Sequence, residues 1–176
     1  MKKNKIAFQG ELGAYSHIAC NSLFKNAEIK TCSTFEETFK IAYEDEEFKI
    51  VIPLENSLAG RVADIHYLLP KYKLQIHGEH FQVVEHNLIA RPEAEMKNIK
   101  SVRSHAQAIG QCQKIIMNNK YKTIISADTA GSAKDLAEGN DNSIAAIASK
   151  LSAEIYKLKI LKENIEDEKG NVNRFL

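Results

Sequence analysis

The residues best suited to chemistry lie in the stretch Ile50-Val51-Ile52-Pro53-Leu54-Glu55-Asn56-Ser57-Leu58-Ala59-Gly60-Arg61. Its apolar start has strand character, and Pro53 cannot continue a central ladder. Glu55, Asn56 and Ser57 then arrive at the mouth of an expected helix, with Ser57 a good N-cap beside unpaired backbone N–H groups. Such a junction serves either plain capping or the binding of a carboxylate or phosphate. The same grammar recurs three times. Residues 6–10 run into Gly13-Ala14-Tyr15-Ser16, residues 99–102 into Arg103-Ser104-His105-Ala106-Gln107, and residues 123–126 into Asp128-Thr129-Ala130-Gly131-Ser132. In open α/β sheets such turns lie at the carboxyl ends of strands, where ligands bind. Four turns bearing small hydroxyl or amide side chains point to one cleft for a polar, anionic small molecule.

An alternation of strand and helix has to deliver these turns. Strands are expected near 5–9, 28–32, 48–53, 73–78, 81–90, 99–103, 122–127, 143–147, 157–165 and 171–176. Helices are expected near 15–25, 34–45, 57–69, 104–118, 129–138 and 148–155. Thr34-Phe35-Glu36-Glu37 reads as a capping box and Gly139-Asn140 as a helix stop. The fold class is α/β with short connections. Two extended segments, 74–90 and 156–165, interrupt the alternation and read as crossings between two subdomains. The first lobe is then about 1–75 plus 157–176 and the second about 76–156, with hinges near 74–79 and 156–161.

The composition excludes several classes. The chain has 176 residues, enough for a proper core, with 44% hydrophobic and 27% charged residues. A net charge of +1 with interspersed signs lacks the basic stripe of a nucleic-acid binder. Cys20, Cys32 and Cys112 are isolated and lack CxxC spacing, which points to reduced thiols and the cytosol. The apolar stretch Ile6-Ala7-Phe8 is too short for a signal peptide, and no later run would span a bilayer. Gly10-x-x-Gly13 lacks the dinucleotide-binding spacing, and there is no P-loop. His77 and His80 would project to opposite faces of a strand, so no metal is expected there. His86 reads as a hydrogen-bonded core or hinge residue. His105, beside Ser104, lacks the GxSxG elbow or acidic partner of a hydrolase. Cys112 reads as helix packing.

In their order, a set of motifs resembles the catalytic domain of the prephenate dehydratases. They are Gly10-Glu11-Leu12-Gly13-Ala14-Tyr15-Ser16, Ile52-Pro53-Leu54-Glu55-Asn56-Ser57, Gly60-Arg61-Val62, Gly78-Glu79, Ser104-His105-Ala106-Gln107-Ala108 with Gln111-Cys112, Asp128-Thr129-Ala130, Ala145-Ala146-Ile147-Ala148, Asn164-Ile165-Glu166-Asp167 and Asn173-Arg174-Phe175. The resemblance implies a two-lobed α/β fold similar to type II periplasmic binding proteins, with the active-site cleft between the lobes. It implies a carbon–oxygen lyase (hydro-lyase) that converts prephenate to phenylpyruvate in phenylalanine biosynthesis, with no metal and no organic cofactor. Arogenate dehydratase is the alternative activity, and a small-anion binding module without turnover is the alternative of another class.

By the same resemblance Asn56, Ser104, Gln111 and Asn173 are catalytic, while Ser57, Thr129, Arg174 and Phe175 bind substrate. Arg174 is expected to hold a substrate carboxylate bidentately. Thr129 and Ser132 read equally as helix caps. Two positions depart from the family pattern. Asn173 stands where the family has a Thr regarded as essential, and an amide is a very poor proton donor. Ala106 replaces a Pro in Ser-His-Pro-Gln, a mild change at a helix start. Family members commonly continue into a phenylalanine-binding regulatory domain, which these residues do not contain. A cytoplasmic homo-oligomer, a dimer, with no nucleic-acid or membrane partner is expected.

Overall fold

Ile6, Ala7 and Phe8 are wholly buried, and they make β1 (Lys5–Gln9) the centre of a parallel sheet in the computed structural model, which describes residues 3–176. β2 (Glu28–Cys32) and β3 (Phe48–Ile50) flank it in the order β2-β1-β3. α1 (Tyr15–Leu23) and α2 (Phe35–Glu44) connect these strands. At the start of α2, Glu37 N donates to Thr34 Oγ1 at 3.1 Å, as a capping box requires. The Glu37 carboxylate reaches back to Ser33 N at 2.8 Å, one residue before the cap. A second sheet follows: β4 (Pro53–Asn56), β5 (Gly60–Arg61), β6 (His80–Val83) and the last strand, β12 (Val172–Phe175), lie in the order β5-β4-β12-β6. α3 (Ala63–Tyr72) packs Ile65 and Leu68 against Phe39 and Ile52. These elements form one unit, comprising the segment that ends at Glu11, Tyr15–Val84 and Asn171–Leu176.

The other unit comprises Leu12–Ala14 and Glu85–Gly170. Its elements are β7 (Asn87–Ala90), a 3₁₀ turn (Met96–Asn98), β8 (Ser101–His105), α4 (Ala106–Gly110), α5 (Gln113–Asn119), β9 (Lys122–Ser126), α6 (Thr129–Glu138), β10 (Ile144–Ala148), α7 (Lys150–Ile155) and β11 (Lys159–Lys162). The sheet order is β11-β7-β10-β8-β9. β8 is parallel to both β9 and β10, and β7 is antiparallel to β10 and β11. Ala145, Ala146, Ile147 and Ala148 are fully buried, so β10 is the spine of this sheet.

Several expectations give way to this arrangement. The crossings fall at Val84/Glu85 and Gly170/Asn171, with further ones around residues 12–14, rather than near 75 and 157. Strand pairing decides this, because residues 80–83 pair with β12 while residues 159–162 pair with β7. Residues 73–78 form no strand; His77 is exposed and irregular, and only His80 lies in β6. No helix begins at Ser57. Asn56 Oδ1 accepts from Leu58 N at 3.0 Å and Ala59 N at 2.8 Å, and Gly60, at φ +83°, turns the chain back so that Arg61 pairs with Glu55. α3 starts only at Ala63, after Val62, which supplies no side-chain cap.

The expected helix 104–118 is broken at Gln111-Cys112. A continuous helix would have Lys114 N donate to Gly110 O and Gln111 O accept from Ile115 N. Here Lys114 N donates to both Asp167 carboxylate oxygens at 3.0 and 3.3 Å, and Gln111 O accepts from Asp167 N at 2.7 Å. Asp167 therefore stands in for the helix partners at the break.

Gly13 is fixed by two hydroxyls, since its carbonyl accepts from Ser149 Oγ at 2.6 Å and Ser152 Oγ at 3.0 Å. Its φ is +93°, and a Cβ there would stand 2.7 Å from Ser152 Cα. Gly13→Ala combines backbone strain of about 1–3 kcal/mol with a clash against main chain. It should lower the urea midpoint by at least that equivalent, and an unchanged midpoint would show that this turn is free to move.

Candidate functional site

In the first unit the polar residues centre on the pairing of β4 with β12, where Asn56 stands opposite Asn173. Asn56 Nδ2 donates to Asn171 Oδ1 at 2.6 Å and to Asn173 Oδ1 at 2.7 Å. Its own Oδ1 takes the two turn N–H groups, so both ends of the carboxamide are engaged. Asn56 is thus a hub that sets its neighbours. Because Asn173 Oδ1 receives that hydrogen, the Asn173 NH₂ is the end left to donate, and no described residue accepts from it. Ser57 is exposed and pinned to β12: its N–H donates to Val172 O at 2.9 Å, and its Oγ accepts from Val172 N at 2.9 Å.

Alternation along β12 sends Asn171, Asn173 and Phe175 to one face and Val172 and Arg174 to the other. Phe175 is 1% exposed and belongs to the core rather than to a ligand surface. On the opposite face the Arg174 guanidinium donates to Glu79 Oε2 at 2.9 Å and to Glu55 Oε1 at 3.1 Å, and lies over the Phe81 ring. These carboxylates hold its pKa above the ordinary value. Arg174, expected to hold a substrate carboxylate, is here paired with these two carboxylates, on the face opposite Asn173.

In the second unit one sheet edge carries the candidate residues. β8, β9 and β10 end there and lead into α4, α6 and α7. β7 runs the other way, with Asn87 opposite Ala148, so the preceding His86 sits at the same edge. Ser104 does not face out from it. It is fully buried, and its hydroxyl donates to Ile147 O at 2.7 Å. The N-cap of α4 is His105, whose Nδ1 accepts from Gln107 N at 3.3 Å. Asp128 caps α6 through Gly131 N, and Ser132 is buried with its hydroxyl on Asp128 O at 2.8 Å. Thr129, half-buried in the first turn, is relieved of capping. Gln111 ends α4, and its Oε1 lies 2.8 Å from Nε2 of the buried His86. This pairing spans 25 positions, and no spacing rule signals it. Glu166 and Asp167, which brace it, belong to a motif whose purpose the sequence alone did not reveal.

No group of three or more His, Cys, Asp or Glu that could hold a metal ion occurs among the described residues. No helix among them is long and apolar enough to cross a membrane.

Burial holds the His86 imidazole below its ordinary value of 6.5. The unfolded chain therefore takes up this proton first, and the stability tied to neutral His86 is present above that value and lost as pH falls below it. Chemical denaturation at pH 7.5 and 5.5 should show a larger decline for the parent than for His86→Gln. Equal declines would mean that His86 titrates alike in both states.

The sequence profile of the prephenate dehydratase family matches residues 6–176. A bifunctional N-acyl-homoserine lactone acylase/prephenate dehydratase of Komagataeibacter europaeus is 39% identical over 170 residues, covering 97% of this chain and 60% of that protein. The chloroplastic arogenate dehydratase/prephenate dehydratase 2 of Arabidopsis thaliana is 36% identical over 172 residues, covering 98% of this chain and 45% of that protein. The prephenate dehydratase structure from Staphylococcus aureus matches with a TM-score of 0.83 at 28% identity, covering 98% of this chain and 64% of that one. The chain spans 60% or less of the length of these two curated relatives. With nearly its whole length matched, in sequence and in mixed α/β fold, the chain belongs to the prephenate dehydratase family.

Proposed function

We propose that this chain carries the decarboxylating dehydration of prephenate to phenylpyruvate, a carbon–oxygen lyase step of phenylalanine biosynthesis. In that reaction the electrons of the ring–carboxylate bond move into the ring as carbon dioxide leaves. The ring C–O bond breaks, and the departing hydroxide takes a solvent proton to become water. Aromatisation supplies the drive, so the protein has to receive developing negative charge on the leaving oxygen. The observation that carries the reading is the Asn56–Asn173 hydrogen bond, which leaves the Asn173 NH₂ as a donor. A Thr hydroxyl at this position would accept from Asn56 and donate outward in the same polarity. Gln111 and Thr129 are the further candidates for substrate contact.

Arogenate differs from prephenate in its side chain and presents the same ring to Asn173, so it competes as the substrate. The K. europaeus relative is also named as an acylase. Acyl transfer through this chain has weaker support. The hydroxyls of Ser104, Ser149 and Ser152 are committed to backbone or to each other. Burial pushes the Cys20 thiol up to about 12 and raises Cys112 as well.

A charged-acceptor hydrogen bond is worth about 1.5–3 kcal/mol, so Asn173→Ala should lower kcat by roughly tenfold to a hundredfold with little change in KM. Asn173→Thr should stay within about tenfold of the parent, since neither group is an efficient proton donor. Phenylpyruvate formation from prephenate and phenylalanine formation from arogenate are the assays. Undiminished turnover in Asn173→Ala would remove this residue from the site, and tight binding without turnover in the parent would favour the binding module.

A further inference from the structure

Residues 165–167 do more than cross from β11 to β12. Ile165 N donates to His86 O at 2.8 Å, and Glu166 Oε2 accepts from His86 N at 3.0 Å. Asp167 N donates to Gln111 O at 2.7 Å, while its carboxylate holds Lys114 N and its carbonyl accepts from Lys114 Nζ at 3.1 Å. Three consecutive residues thus fix the backbone of His86 and the backbone of Gln111 relative to each other. Within that frame His86, 3% exposed, places Nε2 2.8 Å from Gln111 Oε1.

We propose that His86, braced by Glu166, is a positioning residue that fixes the Gln111 carboxamide with its oxygen on the imidazole and its NH₂ turned to substrate. The inference rests on the reading of Gln111 as a substrate contact. A terminal amide has two orientations of nearly equal shape and opposite hydrogen-bond polarity. A neighbour that can only donate selects one of them. Neutral imidazole protonated on Nε2 is such a neighbour, and it leaves only the amide oxygen to receive its hydrogen. Burial disfavours the charged ring, which keeps the imidazole in the neutral form that this selection uses. Prephenate carries carboxylates and a departing hydroxyl oxygen, all of which accept. A Gln facing them is useful only with its NH₂ outward. Asn56 does the corresponding service for Asn173 by donating to its Oδ1.

The test has one spectroscopic and one kinetic arm. In ¹⁵N-labelled protein at pH 7, long-range ¹H–¹⁵N spectra should show His86 as the neutral tautomer protonated on Nε2. Gln111→Ala should move that resonance more than any other histidine's. An Nδ1-protonated His86, or a resonance unmoved by Gln111→Ala, would overturn the proposal. With prephenate, His86→Ala should lower kcat about tenfold with KM within about twofold, and His86→Gln, which restores an N–H at that reach but also carries an acceptor, should recover only part of it. In a Gln111→Ala background, His86→Ala should have little further effect. An equal loss in both backgrounds would mean a general structural role and sink the idea. If the parent turns over neither prephenate nor arogenate, the functional reading fails, while the spectra still decide whether His86 orients Gln111.

Discussion

Burial of β10 on both faces is the constraint around which the second unit is organised. Ala145 to Ala148 expose nothing, so every backbone N–H and C=O along them has to find a partner inside the protein. β7 and β8 supply that pairing on either side, and polar side chains supply the remainder. Ser104 donates to Ile147 O, and Asn87 Nδ2 donates to Ala148 O at 3.4 Å. The small side chains of β10 are matched by Ala130 and Ala133 of α6, both fully buried, which lets helix and strand approach closely. The same pairing fixes chemistry. With β8 parallel and β7 antiparallel to β10, the starts of α4, α6 and α7, together with His86, have to collect at one edge. A hydroxyl that looks catalytic in sequence is consumed in holding that sheet together.

In the first unit the corresponding constraint is the insertion of β12 between β4 and β6. Asn171 is 2% exposed and cannot be left without hydrogen-bond partners at that depth. Asn56 and Ser57, from the turn after β4, reach its Oδ1. The amide hub is therefore first a solution to burying an asparagine, and its bond to Asn173 follows from strand register. Arg174 belongs to the other face, where its pairs with Glu55 and Glu79 are about one-third to one-half exposed and add little to stability. They tie β12 to Glu55 of β4 and to Glu79, the residue just before β6.

Periodicity revealed most elements in advance, and α6 falls on its expected span because Asp128 and Gly139 bound it locally. What failed depended on partners distant in sequence or on competition within a turn. Ser57 has the makings of an N-cap, but the Asn56 side chain takes the next two N–H groups first, and the strand partner of the turn lies more than 100 positions away. The break at Gln111-Cys112 is dictated by Asp167, and nothing in residues 104–118 announces it. The domain crossings were displaced because the partner of residues 80–83 is the last strand. Asn173, Arg174 and Phe175 are consecutive in a strand, and three consecutive residues cannot all face one ligand.

An amide at position 173 brings a physical requirement that a hydroxyl would not. A hydroxyl rotates its single hydrogen to suit its surroundings, so a Thr needs no orienting neighbour to donate outward. A carboxamide carries donor and acceptor at fixed ends, and in the wrong orientation it would present oxygen to an anion. Asn173 therefore depends on Asn56 in a way a Thr would not, and Gln111 depends on His86 by the same logic. Each dependence is met by a partner held in place by backbone contacts: turn N–H groups hold Asn56, and Glu166 with Ile165 holds His86. On the proposed reading, the candidate residues contribute fixed dipoles directed at charge that develops late, with the proton coming from water. Such dipoles need no reorganisation when the hydroxyl leaves, which is the condition under which hydrogen bonds of ordinary strength assist a reaction that aromatisation already drives.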